Sequence, residues 1–370
     1  SGSDFETLRK QGERLEDIDA YRGTGTALSV ASGRMSHTLG LRGPNLTVDT
    51  ACSSSLSAVV TALDNLRAGR CDLALAGGAH LMLAPDSTVL LCRMRALSAD
   101  GRCRTFDESA DGYARGEGGG VFVLKRLSDA QADGDVVHAV IRGGALNHDG
   151  RSSGLTVPNP SAQRDVIAEA LENAGLGPEE IDFVEAHGTA TPLGDPIELR
   201  VVAEVLAHGR TLDDPLLIGS AKTNFGHLEA AAGVAGLMKV VLALSHRVLP
   251  RHLHVEKPTS HVDWDRIPLR IATEEVDWTD REGPIRGGVS AFGFSGTNAH
   301  VVVESPPTPP ASAPPPNREA ELLVLSARSA AALGEIASGV AARLRAGGDA
   351  LLPHLARTLG DRNHASRRGG

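Results

Sequence analysis

Four residues, read in chain order, could do chemistry together. Cys52 lies in "VDTACSSSLSAVV", where a strand expected over "LTVDTA" gives way to a helix expected over "SSLSAVVTALDNLRAG". Backbone N–H groups at a helix N-terminus favour an anion. They therefore lower a thiol's pKa and raise its thiolate fraction. A sharp turn also exposes the sulfur, as in a nucleophile elbow. The plain alternative is a cysteine that fills space in a core. Cys71, Cys92 and Cys103 have no comparable setting and are read as filler.

His187, in "VEAHGTATPLGDP", ends a strand and precedes a small-residue loop. The C-terminal ends of strands in α/β sheets face the crevice where ligands bind. Thr189 and Thr191 carry hydroxyls that can hydrogen-bond an amide-bearing ligand. Lys222 and His227, in "SAKTNFGHLEAAAG", lie where a strand leads into an apolar helix. A lysine there is costly unless paired, and Glu229 is the expected partner. A neutral imidazole at such a helix start can donate a hydrogen bond without carrying charge. In "AFGFSGTNAH" the glycines around two phenylalanines form a turn able to aim a backbone N–H at a developing oxyanion. Each residue alone has a structural reading: a turn cap for His187, an ion pair for Lys222. One activated thiol, two histidines and a buried lysine in this order point to thiol-based acyl transfer.

The elements that must position these groups alternate. Strands are expected over "DLALAGGAHLML", "GVFVLKRL", "VVHAVIRGGAL", "IDFVEAHG" and "PLLIGSAK", and two more are joined by a turn in "GGVSAFGFSGTNAHVVVE". Helices are expected over "SAQRDVIAEALENAGLG", with Ser161 as N-cap, over "DPIELRVVAEVLA", and over "HLEAAAGVAGLMKVVLAL". That pattern is α/β with parallel strands. The helix after Cys52 and the one after His227 are too apolar for a surface, so both should be buried between two sheets of a duplicated fold. From Ser305, "SPPTPPASAPPPN" is a semi-rigid linker. Beyond it "ELLVLSA" reads as a strand and "SAAALGEIASGVAARLRAG" as a helix, the start of a small α/β unit.

Composition bounds the remaining possibilities. The 370 residues carry a formal net charge of −9, with no long basic run, which argues against nucleic acid and membrane as partners. The four cysteines form no CxxC pair, so no metal site and no disulfide framework is indicated. With no signal peptide and no apolar run of membrane-spanning length found, a reducing, cytoplasmic location is expected.

"VDTACSSSL", "VEAHGTATPLGDPIE", "GSAKTNFGHLEAAAG" and "GFSGTNAHVVVE" resemble the signature blocks of ketosynthase domains of type I polyketide synthases. "GYARGEGGGVFVLKRLSDA" and "NHDGRSSGLTVPNPSAQ" are similar to that family as well. The resemblance implies a thiolase-like fold, a layered α-β-α-β-α sandwich of two similar halves, over residues 1–304. It implies a linker over 305–320, and over 321–370 the beginning of a domain joining ketosynthase to acyltransferase. It implies that Cys52 takes an acyl chain from the phosphopantetheine of an acyl carrier protein and condenses it with a malonyl-type extender. His187 and His227 would hold the enolate and Lys222 would tune the site. The N–H groups of Cys52 and Phe294 would form the oxyanion hole, with Phe294 as gate. Thr189 and Thr191 would hold the pantetheine, with Glu229 and Asn298 in support. No bound cofactor is implied. The partners implied are the carrier protein, a second copy in a homodimer and an adjacent acyltransferase domain.

Two departures stand out. Ala190 replaces the glycine usual in "HGTGT", and the family's first strands and helices would precede "SGSDFETL", so the chain is expected to be truncated at both ends. A thiolase acting on coenzyme A, a domain that passes chains without elongation, and a non-catalytic docking domain are the competing readings. The intact set Cys52, His187, Lys222 and His227 favours elongation over the last two, and the linker unit favours an assembly line over the first.

Overall fold

The computed structural model describes residues 4–10, 14–307, 320–348 and 351–366. They fall into two compact units, Ser1–Pro307 and Thr308–Gly370. In the first, helix α1 (Ser54–Arg67) buries Leu56, Val59, Val60 and Leu63, one stripe at helical spacing. Strands β1 (Leu73–His80) and β2 (Gly118–Lys125) pair antiparallel as a separate two-stranded sheet. Then come β3 (Val140–His148), α2 (Pro160–Ala174), β4 (Phe183–Glu185), α3 (Gly194–Leu206), β5 (Leu216–Gly219) and α4 (Ala232–His246). The last strands are β6 (Leu269–Ile271), β7 (Arg286–Phe292) and β8 (Thr297–Glu304).

A six-stranded sheet of order β3-β8-β7-β4-β5-β6 organises the unit. Strands β7, β4, β5 and β6 run parallel, while β3 and β8 complete the sheet in antiparallel pairings. In β8 the run "HVVV" is buried throughout: Val301 and Val303 join one core cluster and Val302 the other. Such an unbroken apolar run belongs to a strand covered on both faces. One cover is α2 with α3, and the other is α1 with α4. Beyond α1 and α4 lies the β1–β2 sheet, giving the layers α-β-α-β. The two central helices cross closely at Gly233, where a Cβ would stand 2.7 Å from the Leu56 Cβ.

The structure departs from the sequence reading in several places. "LTVDTA" is not a strand but irregular chain that runs into the 3-10 turn at Ala51, with Leu46 63% exposed. Asn159, not Ser161, caps α2, its side chain accepting the Ser161 N–H at 3.1 Å. Helix α4 is buried on one side only, since Met238 and Leu242 are 37% and 52% exposed. They line an apolar groove of about 620 Å³ with Phe225, Leu228, Val234 and Val248. The segment Glu229–His246 does reach membrane-span length, at mean hydropathy 1.3, yet half of it is packed inside the unit as a core helix. The β1–β2 sheet is much smaller than its six-stranded counterpart, and its outward Val121 and Val123 are 53% and 66% exposed.

In the second unit, residues 308–319 of the proline-rich stretch lie outside the described residues. "ELLVLSA" is irregular rather than a strand. The helix Ala330–Gly347 forms as expected, capped by Ser329, whose hydroxyl accepts the Ala332 N–H at 3.2 Å. A further helix spans Leu352–Ser366.

Candidate active site

Three of the parallel strands aim their C-terminal ends at one place. β7 ends before Gly293 and Phe294, β4 before His187, and β5 before Lys222, with β4 in the middle. Cys52 comes to the same place from the other side of the crevice. It sits in a single 3-10 turn, Ala51–Ser53, at the start of α1. Ala51 has φ 57, a left-handed conformation that non-glycine residues rarely adopt. The serines after Cys52 hold this bend. The Ser53 hydroxyl donates to the Thr50 carbonyl at 2.8 Å and that of Ser54 to the Ala51 carbonyl at 2.6 Å. Ser55 accepts the Val234 N–H at 3.1 Å, tying α1 to the start of α4.

Phe294 reaches Cys52 through its backbone. At Gly293 a Cβ would lie 2.3 Å from the Thr50 carbonyl oxygen, so only glycine permits this approach. The main-chain N–H groups of Phe294 and of Cys52 itself pull the Cys52 thiol's pKa down. Those two N–H groups are the pair expected at an oxyanion hole. The Phe294 ring is 59% exposed, at the mouth of the site.

The thiol differs from the sequence reading in one respect. Burial pushes Cys52 up to about 11; nearby Lys222 and the two N–H groups pull it down, and Glu229 pushes it further up. Desolvation of the anion outweighs the helix N-terminus. Cys52 is therefore a protonated thiol at neutral pH, and the donors around it act on negative charge only as it forms. Of the other cysteines, Cys103 is buried, Cys71 half-buried and Cys92 exposed.

His187 and His227 stand edge to face, with ring centroids 5.7 Å apart. Burial and the Lys222 charge hold both well below the usual imidazole range, so both are neutral. The His227 Nδ1 accepts the Glu229 N–H at 2.9 Å, leaving the ring proton on Nε2, which is buried and without a protein partner. A buried donor with no partner is a place for a ligand oxygen. The Tyr113 ring packs edge-on against His227 at 4.9 Å. The His187 Nδ1 is likewise buried and unpartnered.

Lys222 does not pair with Glu229 as expected. Its ammonium donates to the His187 carbonyl oxygen, and burial lowers its pKa against the attraction of Glu185 and Glu198. Glu229 is taken by Arg115 at 2.5 Å, with His80 at 3.5 Å. Glu229 nevertheless serves His227 through its main-chain N–H. Thr191 accepts the Gly194 N–H at 3.2 Å and stands 3.3 Å from the Thr189 hydroxyl, so the two threonines close the loop after His187. Asn298 is buried and donates to Asn147 at 3.1 Å and Asp149 at 2.8 Å, bracing the chain beside the Phe294 turn.

The sequence reading missed the groups that hold the histidine side. The Glu198 carboxylate accepts the N–H groups of His187 at 2.7 Å and Gly188 at 2.8 Å, and burial pushes it up to about 7. Asp195 accepts the Phe106 N–H at 2.9 Å and is pushed up to about 7 by the same cause. His252 accepts the Ser220 N–H at 3.0 Å and faces the Thr105 carbonyl at 3.0 Å, fixing the end of β5. Glu198 and Asp195 lie in the quoted "GDPIE", but nothing in its spacing points them back at the strand end. Ala190, the departure from glycine, has φ 57 and is fully buried, so this position is one that glycine would fill without strain.

The chain is similar to proteins of one kind. The family Beta-ketoacyl synthase, N-terminal domain matches residues 1–130, and Beta-ketoacyl synthase, C-terminal domain matches 138–256. Ketoacyl-synthetase C-terminal extension matches 258–367. Phenolphthiocerol synthesis polyketide synthase type I Pks15/1 of Mycobacterium marinum is 50% identical over 340 residues, 90% of this chain and 16% of that protein. Erythronolide synthase EryA3 of Saccharopolyspora erythraea is 47% identical over 367 residues, 95% of this chain and 12% of that protein. Among solved structures, the ketosynthase from module 6 of the bacillaene synthase of Bacillus subtilis 168 aligns with TM-score 0.79 at 39% identity, covering 88% of this chain and 56% of that one. The oxazolomycin ketosynthase domain of Streptomyces albus JA3453 aligns with TM-score 0.82 at 40% identity, covering 96% and 60%. This chain thus spans a small part of those synthases and somewhat over half of those ketosynthase chains. The fold is that of the thiolase-like ketosynthases.

Proposed function

Because the chain belongs to the beta-ketoacyl synthase family, among the ketosynthase domains of type I polyketide synthases, we propose that it elongates carrier-bound acyl chains by decarboxylative Claisen condensation. The observation that carries this reading is the double set of donors: the Cys52 and Phe294 N–H groups, which pull the Cys52 thiol down, and two neutral histidines edge to face, ring centroids 5.7 Å apart. The reaction makes two oxyanions, and each needs its own donors.

In the first half, the Cys52 sulfur attacks the thioester carbonyl of an acyl chain on the phosphopantetheine of a carrier protein. The N–H groups of Cys52 and Phe294 hold the tetrahedral oxyanion, and the pantetheine sulfur leaves carrying a proton. In the second half, a malonyl-type thioester loses its carboxylate, and the electron pair moves onto the thioester oxygen as an enolate. The His227 Nε2–H donates to that oxygen with His187 beside it. The enolate carbon attacks acyl-Cys52, the same N–H pair holds the second oxyanion, and the Cys52 thiolate departs and is reprotonated. The β-ketoacyl product stays on the carrier. Lys222, the cation beside both Cys52 and His187, favours each negative charge as it appears. Thr189 and Thr191 hold the pantetheine arm, and Phe294 gates its entry.

We read residues 1–304 as ketosynthase, 305–320 as linker and 321–370 as the beginning of the domain that leads to an acyltransferase, in a cytoplasmic homodimer that binds no cofactor of its own. The test is intact-mass spectrometry with acyl-carrier and malonyl-carrier substrates. An acyl adduct mapped to Cys52, discharged as a β-ketoacyl carrier on adding the extender, is expected. An adduct that never discharges, or none on Cys52, overturns the reading.

A further inference from the structure

The segment Tyr113–Gly116, in the stretch "GYARGEGGG", wraps His227 more closely than any catalytic role assigned above requires. The His227 N–H donates to the Ala114 carbonyl at 2.7 Å, and the His227 carbonyl accepts the Gly116 N–H at 2.9 Å. Between them, Arg115 sends its side chain to the next turn. Its Nε donates to the Glu229 carboxylate at 2.5 Å, and its Nη1 to the Thr88 hydroxyl at 2.6 Å. The Arg115 side chain is only 5% exposed, and His80 faces both it and Glu229, at 3.4 and 3.5 Å. Glu229 itself has φ 45, a left-handed conformation that a glutamate does not adopt unless it is held there. In that conformation its N–H meets the His227 Nδ1.

We propose that Arg115 is a positioning residue for His227: by gripping the Glu229 carboxylate it keeps residue 229 left-handed, so that its N–H occupies Nδ1 and the ring proton stays on Nε2, facing the reacting oxygen. The chain of contacts is continuous, and each link has a direction. A side chain holds a carboxylate, the carboxylate holds a main-chain turn, the turn supplies an N–H, and the N–H selects a tautomer. A neutral imidazole with its proton on Nδ1 would turn a lone pair toward the enolate, which repels it. The catalytic consequence rests on reading His227 as an enolate donor, whereas the tautomer is a property of the ring alone.

The experiment separates the two. Protein labelled with ¹⁵N-histidine is compared by long-range ¹H–¹⁵N spectra as wild type, Arg115→Gln, Arg115→Lys and Glu229→Gln, with the His227 signals assigned by their loss in His227→Asn. The wild type should show one tautomer, protonated on Nε2. In Arg115→Gln and Glu229→Gln the two nitrogens should move toward averaged positions, and Arg115→Lys should restore part of the difference. In Arg115→Gln, condensation should fall about 10-fold or more while acyl loading of Cys52 stays at the wild-type rate. A folded Arg115→Gln, or a folded Glu229→Gln should the first variant not fold, with the wild-type His227 spectrum overturns the proposal. An averaged tautomer with unchanged condensation upholds the positioning role and overturns the assignment of His227 to the enolate.

Discussion

The two sides of the crevice are built differently. On the nucleophile side the bend is largely local: Ser53 and Ser54 bond back to Thr50 and Ala51, while Ser55 meets the Val234 N–H and Gly293 comes up against the Thr50 carbonyl. On the histidine side almost every support is distant in sequence. Glu198 holds the main chain at His187 and Gly188, Ala114 and Gly116 hold that of His227, and the Lys222 ammonium reaches the His187 carbonyl. Yet burial treats both sides alike, suppressing whichever form is charged. The thiol is raised and the imidazoles are lowered, so neither carries charge at rest, while Lys222 and the Arg115–Glu229 pair stand beside them. Such a site can respond strongly to charge that appears only during reaction, because the donors are already aimed and no water must reorient.

If the two sides serve separate steps, they should fail separately. Cys52→Ala should lower acyl loading to the uncatalysed background and with it everything later, read by intact mass after incubation with an acyl carrier. Retained loading would place the nucleophile elsewhere. His187→Ala should leave loading intact and reduce condensation by about 10²–10⁴-fold, read as acyl-enzyme that persists when the extender is added. Equal loss of both steps would dissolve the contrast between the sides. Gly293→Ala tests a long-range contact on the cysteine side. Its Cβ cannot sit 2.3 Å from the Thr50 oxygen, so the turn must retreat with the Phe294 N–H. Loading and condensation should then fall together, by about 10²-fold in single-turnover assays; an unchanged rate of either step removes Phe294 from the oxyanion hole.

The thiol's protonation sharpens the comparison further. With Cys52 pushed up to about 11, its alkylation by iodoacetamide should rise about tenfold per pH unit from about pH 7 to 9, without a plateau. Lys222→Met, which removes a charge that pulls the thiol down, should slow it at each pH. Exposed Cys92 should be labelled first at neutral pH, as peptide mapping would read. A plateau near neutrality would mean that the helix N-terminus prevails over burial after all. The smallest effect belongs to Ala190→Gly. It relieves a left-handed alanine at φ 57, at the entropic disadvantage of glycine in the unfolded chain. A net gain of no more than about 1 kcal/mol is expected in chemical denaturation. A loss would mean that the buried methyl group contributes more than its strain costs.

What could be read from residues alone was whatever is encoded within a few positions. Cys52 at a helix start, the glycines of the Phe294 turn, the helical stripe of Leu56, Val59, Val60 and Leu63, and the buried run of β8 are all local patterns, and the structure contains them. The four residues proposed to react were singled out for the same reason, since residue type and neighbours limit the chemistry open to them. Where a feature depends on a partner, that reading failed. "LTVDTA" and "ELLVLSA" have strand composition, but composition alone does not make a ladder, and both segments are irregular. Lys222 next to Glu229 in sequence looked like a pair, yet Arg115, 114 residues away, takes that carboxylate. The direction of the Cys52 shift was misread because a helix N-terminus is visible in the sequence and desolvation is not. Burial belongs to the packed whole, and only the tertiary structure decides how much water each charge keeps.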